Sequence, residues 1–310
     1  MPEASTAKPV AQIDRKLKQG QRAELHVVDL ESGESKLIHV SKDLLFEAPN
    51  WHPGGRFIVV NADGLLFRLD VESPAELIEI KSEGLPDLNN DHLISPDGRT
   101  HFVSAMDWHI YRFPWEGGEA ERVTADKDPG RRFRHFLHGI SPDGKVLAYV
   151  GTEQANGSEW GKRAVWLLDL ETGVENMLAD GFSPADGPEF SPDGRYLYFN
   201  SEMASQREGH AQLFSYSMQD GKVERLITSD TVDWFPHPSP DGHRIAYLQY
   251  PPGTVGHPPD LPVSLKVLEG RPHAARELAA FTGGQGTINV GSWAPDSRRL
   301  AYVAYPIEPA

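Results

Sequence analysis

Apolar residues along this chain come in short runs of four or five positions, closed by polar clusters rich in Pro, Asp and Gly. Arg56-Phe-Ile-Val-Val60, Val146-Leu-Ala-Tyr-Val150, Tyr196-Leu-Tyr-Phe199, Ile245-Ala-Tyr-Leu248 and Leu300-Ala-Tyr-Val303 are the clearest. Runs of this length, rich in aromatic and β-branched residues, read as strands. Nowhere does the 3.6-residue period of a surface helix persist. The same punctuation precedes each run. Ser95-Pro-Asp-Gly98, Ser141-Pro-Asp-Gly144, Ser191-Pro-Asp-Gly194 and Ser239-Pro-Asp-Gly242 are close copies, and His52-Pro-Gly-Gly55 and Ala294-Pro-Asp-Ser297 are degraded ones. Their prolines, Pro53, Pro96, Pro142, Pro192, Pro240 and Pro295, lie 43, 46, 50, 48 and 55 residues apart. A period in this range marks a repeat architecture.

Within a repeat, Pro presets the turn, Asp bonds back to nearby backbone and Gly accepts the exit geometry, so each motif joins two strands. The motif aspartates are therefore expected to be turn formers. A second hairpin follows most copies, as in Leu213-Phe-Ser-Tyr216 and Val223-Glu-Arg-Leu-Ile227 across Gln219-Asp-Gly221. Two hairpins per period make a four-stranded antiparallel blade, and six periods make an all-β, six-bladed propeller. The last period lacks its second hairpin, while a spare one, Glu24-Leu-His-Val-Val-Asp29 and Lys36-Leu-Ile-His-Val40, stands at the start. The N-terminal hairpin is thus expected to complete the C-terminal blade and close the ring, leaving no open edge. The expected organisation is a flexible tail over 1–21 and one propeller domain over 22–310.

Composition removes several functions. A formal charge of −15 without any basic cluster argues against nucleic acid. Zero Cys excludes disulfides, thiolate metal sites and Cys nucleophiles. The first twenty residues hold no apolar run of signal length, so no membrane segment is expected. The location reads as cytoplasmic as written, or periplasmic if a leader was removed.

The innermost strand of each blade leads into the Ser-Pro-Asp-Gly turn. Residues before it therefore lie at the opposite mouth of the ring, roughly 15–20 Å away. Polar residues gather at that position in every repeat. They include Glu47, Asn50, Asn89-Asn90-Asp91, His92, His138, Asp186, Glu189, His237 and Asn289. Residues two before each proline (Trp51, Ile94, Ile140, Phe190, Pro238 and Trp293) are apolar and read as interblade core. Long loops bring Trp160, His210 and His257 towards the same mouth. The glycines of Gly283-Gly-Gln-Gly-Thr-Ile-Asn-Val290 allow close backbone approach, with Gln285 among them.

These repeats resemble the TolB-type, WD-like propellers. Asn89-Asn-Asp-His92, Asp186-Gly-Pro-Glu189, Trp234-Phe-Pro-His-Pro238 and the Gly283–Val290 string are similar to a stand-alone subgroup without TolB's N-terminal α/β domain. The resemblance implies a six-bladed propeller and, for TolB-like domains, protein binding at the rim. A more distant likeness to oligogalacturonate lyase serves only as analogy.

Two functional readings follow. In the first, an axial site binds and processes a polar small molecule or oligosaccharide, as a lyase or hydrolase. Its expected acid–base residues are Glu189, His237 and Asp186. Glu47, Asn50, Asn90, Trp234, His257, Gln285 and Asn289 would contact the ligand, with Trp234 stacking on a sugar ring. His92, His138 and His237 could hold a divalent metal, since imidazole with carboxylate suits such ions; manganese, zinc, calcium and iron stay open. In the second, the propeller is a non-catalytic scaffold whose rim binds protein. No nucleophile elbow, phosphate loop or dinucleotide fingerprint is present.

Overall fold

The computed structural model describes residues 15–154, 161–270 and 273–308. It is an all-β propeller of six blades around one axis. The innermost strands of the first five blades are Phe46–Trp51, Leu88–Ile94, Phe133–Ile140, Ala185–Phe190 and Val232–Pro238. Each opens a four-stranded antiparallel sheet that runs outward in chain order. In the sixth, Arg299–Ala304 pairs with Ala23–Asp29, which pairs with Ser35–Ser41. The N-terminal hairpin closes the ring as expected. The sixth blade's innermost segment is less regular, held to Arg299–Ala304 by the Trp293–Leu300 bridge and by the Val303 N–H donating to Thr287 O.

The turns account for the repeat. In each close copy the Ser hydroxyl donates to the Asp carboxylate at 2.6 Å. That carboxylate accepts the N–H two residues on, from Arg99, Lys145, Arg195 or His243. The motif aspartates are thereby committed to the turns. Helical structure among the described residues is limited to two 3-10 turns, Pro129–Arg131 and Asp180–Phe182. No helix there is long and apolar enough to cross a membrane.

One feature repeats that the strand pattern did not foretell. All five regular innermost strands slip register against their neighbours, between Glu47 and Asn50, Leu88 and His92, Leu137 and Gly139, Asp186 and Glu189, and Trp234 and His237. An extra residue bends a strand and re-aims its side chains. Three blades place the residue five before the turn proline in left-handed backbone: Ala48 (φ 54°), Gly187 (φ 59°) and Phe235 (φ 58°). These bulges change which way the polar side chains on either side of them face.

Candidate functional site

The axial space is divided in two, and His138 lines both parts. On the side away from the turns lies a funnel of about 580 Å³, bordered by Asp91, His138, Arg163, Asp186, His257, Gln285 and Asn289. On the turn side lies a vestibule of about 320 Å³. Its collar is Trp51, Ile94, Ile140, Phe190, Pro238 and Trp293. Of these, Trp51, Ile94, Phe190 and Trp293 are at the same time buried in clusters that join adjacent blades, as expected. The waist between them is closed across the ring. His138 Nδ1, from the third blade, donates to the Asn289 carbonyl of the sixth at 3.2 Å.

At the funnel floor His138 Nε2 lies 3.2 Å from Asp186 Oδ1. With a carbonyl on one ring nitrogen and a carboxylate on the other, this imidazole meets only acceptors, which favours the doubly protonated ring. Burial alone would lower the His138 pKa, but the Asp186 hydrogen bond and the charges of Asp91 and Asp186 outweigh it, and the net shift is upward. Asp186 moves the other way: burial would raise its pKa, yet the His138 hydrogen bond and charge bring it below the ordinary value. Asp91 accepts a hydrogen bond from the neutral Asn89 amide at 2.8 Å and has no ion pair with the ring. Burial pushes it up to about 6, against the pull of His138. The funnel floor thus holds a buried imidazole bonded to an ionised carboxylate, with a second carboxyl of raised pKa lining the same cavity.

The other predicted residues are distributed unevenly. His257, Gln285 and Asn289 share the funnel with His138 and Asp186. Asn289 Oδ1 also accepts the Gly286 N–H, fixing the glycine loop. Glu189 is not a partner for Asp186 in one cavity. It opens on the turn-side vestibule, paired with His237 Nδ1, because the Gly187 bulge sends the two carboxylates to different sides of the waist. Asn50 lies on the vestibule too, donating to Gly291 O at 2.6 Å. Glu47 and Asn90 border a separate small recess. Trp234, 2% exposed, packs into the core against His257 with ring centres 4.4 Å apart, so it offers no face to a sugar. Trp160 lies outside the described residues.

The family model of the TolB beta propeller domain matches residues 139–256. A protein of Agrobacterium fabrum, Atu1656, itself uncharacterized, is 33% identical over 292 residues, covering 93% of this chain and 94% of its own. This chain belongs to the TolB-like β-propeller family. A solved structure provisionally named TolB, from Agrobacterium tumefaciens, superposes on the TolB-like chain with a TM-score of 0.83 at 32% identity. The match covers 94% of this chain and 99% of that one. Oligogalacturonate lyase in complex with manganese superposes at 0.52 with 12% identity, over 84% of this chain and 67% of the lyase, a likeness of fold alone.

The histidines of the TolB-like chain do not offer a shared coordination sphere. His237 faces Glu189 with one ring nitrogen and the Ile288 carbonyl, at 2.6 Å, with the other. Both His138 nitrogens are engaged as described. His92 is 1% exposed, and burial pushes its pKa down to about 4. Among the described residues no three His, Asp or Glu are arranged to hold a metal ion. The expected ligand set His92, His138 and His237 therefore does not come together around a metal: His138 and His237 spend their ring nitrogens on other blades, and His92 borders neither axial cavity.

Two funnel residues of the TolB-like chain had not been singled out as functional. Asp91 was legible only as one of three polar residues in a row. Arg163 opens the third blade's Lys162–Asp169 strand, 3.4 Å from Glu202. A charged pair heading an otherwise apolar strand after a mouth-side loop was the signal available.

Proposed function

We propose that the funnel binds a polar, hydroxylated small molecule, a saccharide, and processes it by acid–base chemistry of the lyase or hydrolase kind. What carries this reading is the His138 imidazole bonded to Asp186 at the floor of a cavity of ligand size, with Asp91 lining the same cavity. Asp91, with its pKa of about 6, is the proton-transfer group, since such a value suits acid or base work near neutrality. His138 stabilises developing negative charge, and Asp186 holds it charged and oriented. Gln285 and Asn289 supply amides for hydroxyls, Pro258 and Pro259 an apolar wall, and Arg163 a cation for an acidic sugar.

The test is calorimetric titration and product assay with neutral and uronic oligosaccharides. Asp91→Asn is expected to keep binding and lose about 100-fold or more in turnover. His138→Gln is expected to weaken binding about tenfold or more, an ion-assisted contact contributing about 1.5–3 kcal/mol. If no sugar binds, or if both variants behave as wild type, the reading fails. The scaffold reading is favoured by one feature, the loop at the funnel lip that leaves Val255 61% exposed. Loss of a protein partner in Val255→Asp, with the funnel variants unaffected, would select it.

A further inference from the structure

Beside the funnel, the chain's own N-terminal segment fills a polar recess. Arg15 Nη1 donates to Glu47 Oε1 at 2.5 Å and to the Gln285 carbonyl at 2.7 Å, while Nη2 reaches Asp260 Oδ1 at 3.2 Å. The guanidinium carbon lies 4.2 Å from the centre of the Tyr305 ring. Two carboxylates and a carbonyl arranged around a planar fork, with an aromatic face beneath, suit a guanidinium better than an ammonium, whose compact charge cannot use the fork.

The recess is built for this group. Gly286 forms part of it, because a Cβ there would stand 2.4 Å from Glu47 Oε1 and 2.5 Å from the Tyr305 hydroxyl. Asn90, 1% exposed, borders the same recess with neither amide atom hydrogen-bonded, and the Asn61 side-chain oxygen there is likewise without a partner. Buried amides left unpaired are uncommon and point to a missing polar group. The recess also adjoins the funnel: Gln285 gives its carbonyl to Arg15 and its side chain to the funnel wall.

The strap carrying Arg15 is attached by Leu17, which packs against the apolar cluster of the first and sixth blades, and by a few polar contacts. Lys16 pairs with Asp63, Lys18 with Asp260 at 2.7 Å, and Gln21 donates to Asp260 at 2.7 Å. Both lysines are well exposed, and exposed pairs of this kind each contribute little.

We infer that Glu47, Asp260, Tyr305 and the Gln285 carbonyl form a guanidinium-binding subsite contiguous with the funnel, filled in cis by Arg15. A ligand bearing a guanidinium group takes this subsite by displacing the strap. Asn90 and Asn61 then meet the polar atoms that accompany that group. The subsite does not depend on the acid–base chemistry of His138 and Asp91.

The test is chemical rescue. Arg15→Ala empties the subsite and should lower the thermal midpoint. N-ethylguanidinium at low millimolar concentration should restore most of the loss, whereas ethylammonium at the same concentration should not. Adding Glu47→Gln to Arg15→Ala should weaken the guanidinium response at least tenfold. An Arg15→Ala protein indifferent to N-ethylguanidinium, or equally responsive to ethylammonium, overturns the inference. So does a double variant that responds as the single one does. If Arg15→Ala does not fold, Arg15→Lys, which keeps the charge but loses the fork, is titrated in its place. The same selective response to N-ethylguanidinium then supports the subsite, and its absence overturns it.

Discussion

Two carboxylates from the blades on either side of His138 line its cavity, one of them bonded to the ring, and burial acts on them differently. Asp186 has a hydrogen bond to the ring and stays below its usual pKa, whereas Asp91 is buried without one and rises to about 6. A folded-state pKa above the unfolded value means that the neutral carboxyl is favoured by folding. Its contribution is fully present below about pH 4 and is lost as pH rises through 6. Asn mimics the neutral form. Asp91→Asn should therefore match the wild type in stability near pH 4 and exceed it at pH 8, by up to about 3 kcal/mol at about 1.4 kcal/mol per pKa unit. Urea unfolding between pH 4 and 8 measures this, and a gap that stays flat or narrows with rising pH would refute it. At this scale the sequence revealed residue types better than partnerships. His138 and Asp186 could be read as approaching one axis, but the chain gave no sign that Asn289 would span the ring to His138. Nor did it show that Arg15, from a stretch expected to be a tail, would occupy Glu47.

The strand is the scale at which side-chain direction is decided. A regular strand alternates faces with period two, so a single inserted residue redirects everything beyond it. The repeat motif made the strands and turns legible. The bulges were not, because two of their three left-handed positions are Ala48 and Phe235, types that do not advertise positive φ. This is why Asp186 and Glu189, three residues apart, looked like one acid–base pair and belong to different cavities. Gly139, beside His138, shows how tightly these strands meet. A Cβ there would lie 2.6 Å from the Pro188 carbonyl and 3.1 Å from the Glu189 Cα, both on the fourth blade's innermost strand. Gly139→Ala must push the third and fourth blades apart, at a cost of about 1–3 kcal/mol for overpacking. It should also draw His138 away from Asp186, so the imidazole pKa falls towards its ordinary value. A urea series paired with NMR titration of His138 reports both effects. An unaltered midpoint with an unaltered titration would show that the blades can absorb the methyl group without moving.

For the whole ring, closure matters more than any one blade. Open repeat arrays hold together through nearest-neighbour interfaces and can unravel from their ends. Here Ala23–Asp29 lies between Arg299–Ala304 and Ser35–Ser41, so the first strand of the chain is a central strand of its last blade. That much could be counted from the sequence, since one spare hairpin and one incomplete blade fit only each other. Val28 is fully buried and sits opposite Leu300 on one side and Ser35 on the other. Its N–H belongs to one ladder or the other, so Val28→Pro removes a hydrogen bond whichever way it points and sets a rigid ring in a central strand. Because that strand joins the two ends of the chain, the damage should spread around the ring. The expected result is one cooperative urea transition at a clearly lower midpoint, with the slope unchanged, since the slope follows the surface exposed on unfolding. If the sixth blade instead melts alone, the variant will show an early transition of small slope followed by one near the wild-type midpoint. Blades one to five would then be stable as an open arc, and closure would be a local fastening on an array that already stands without it.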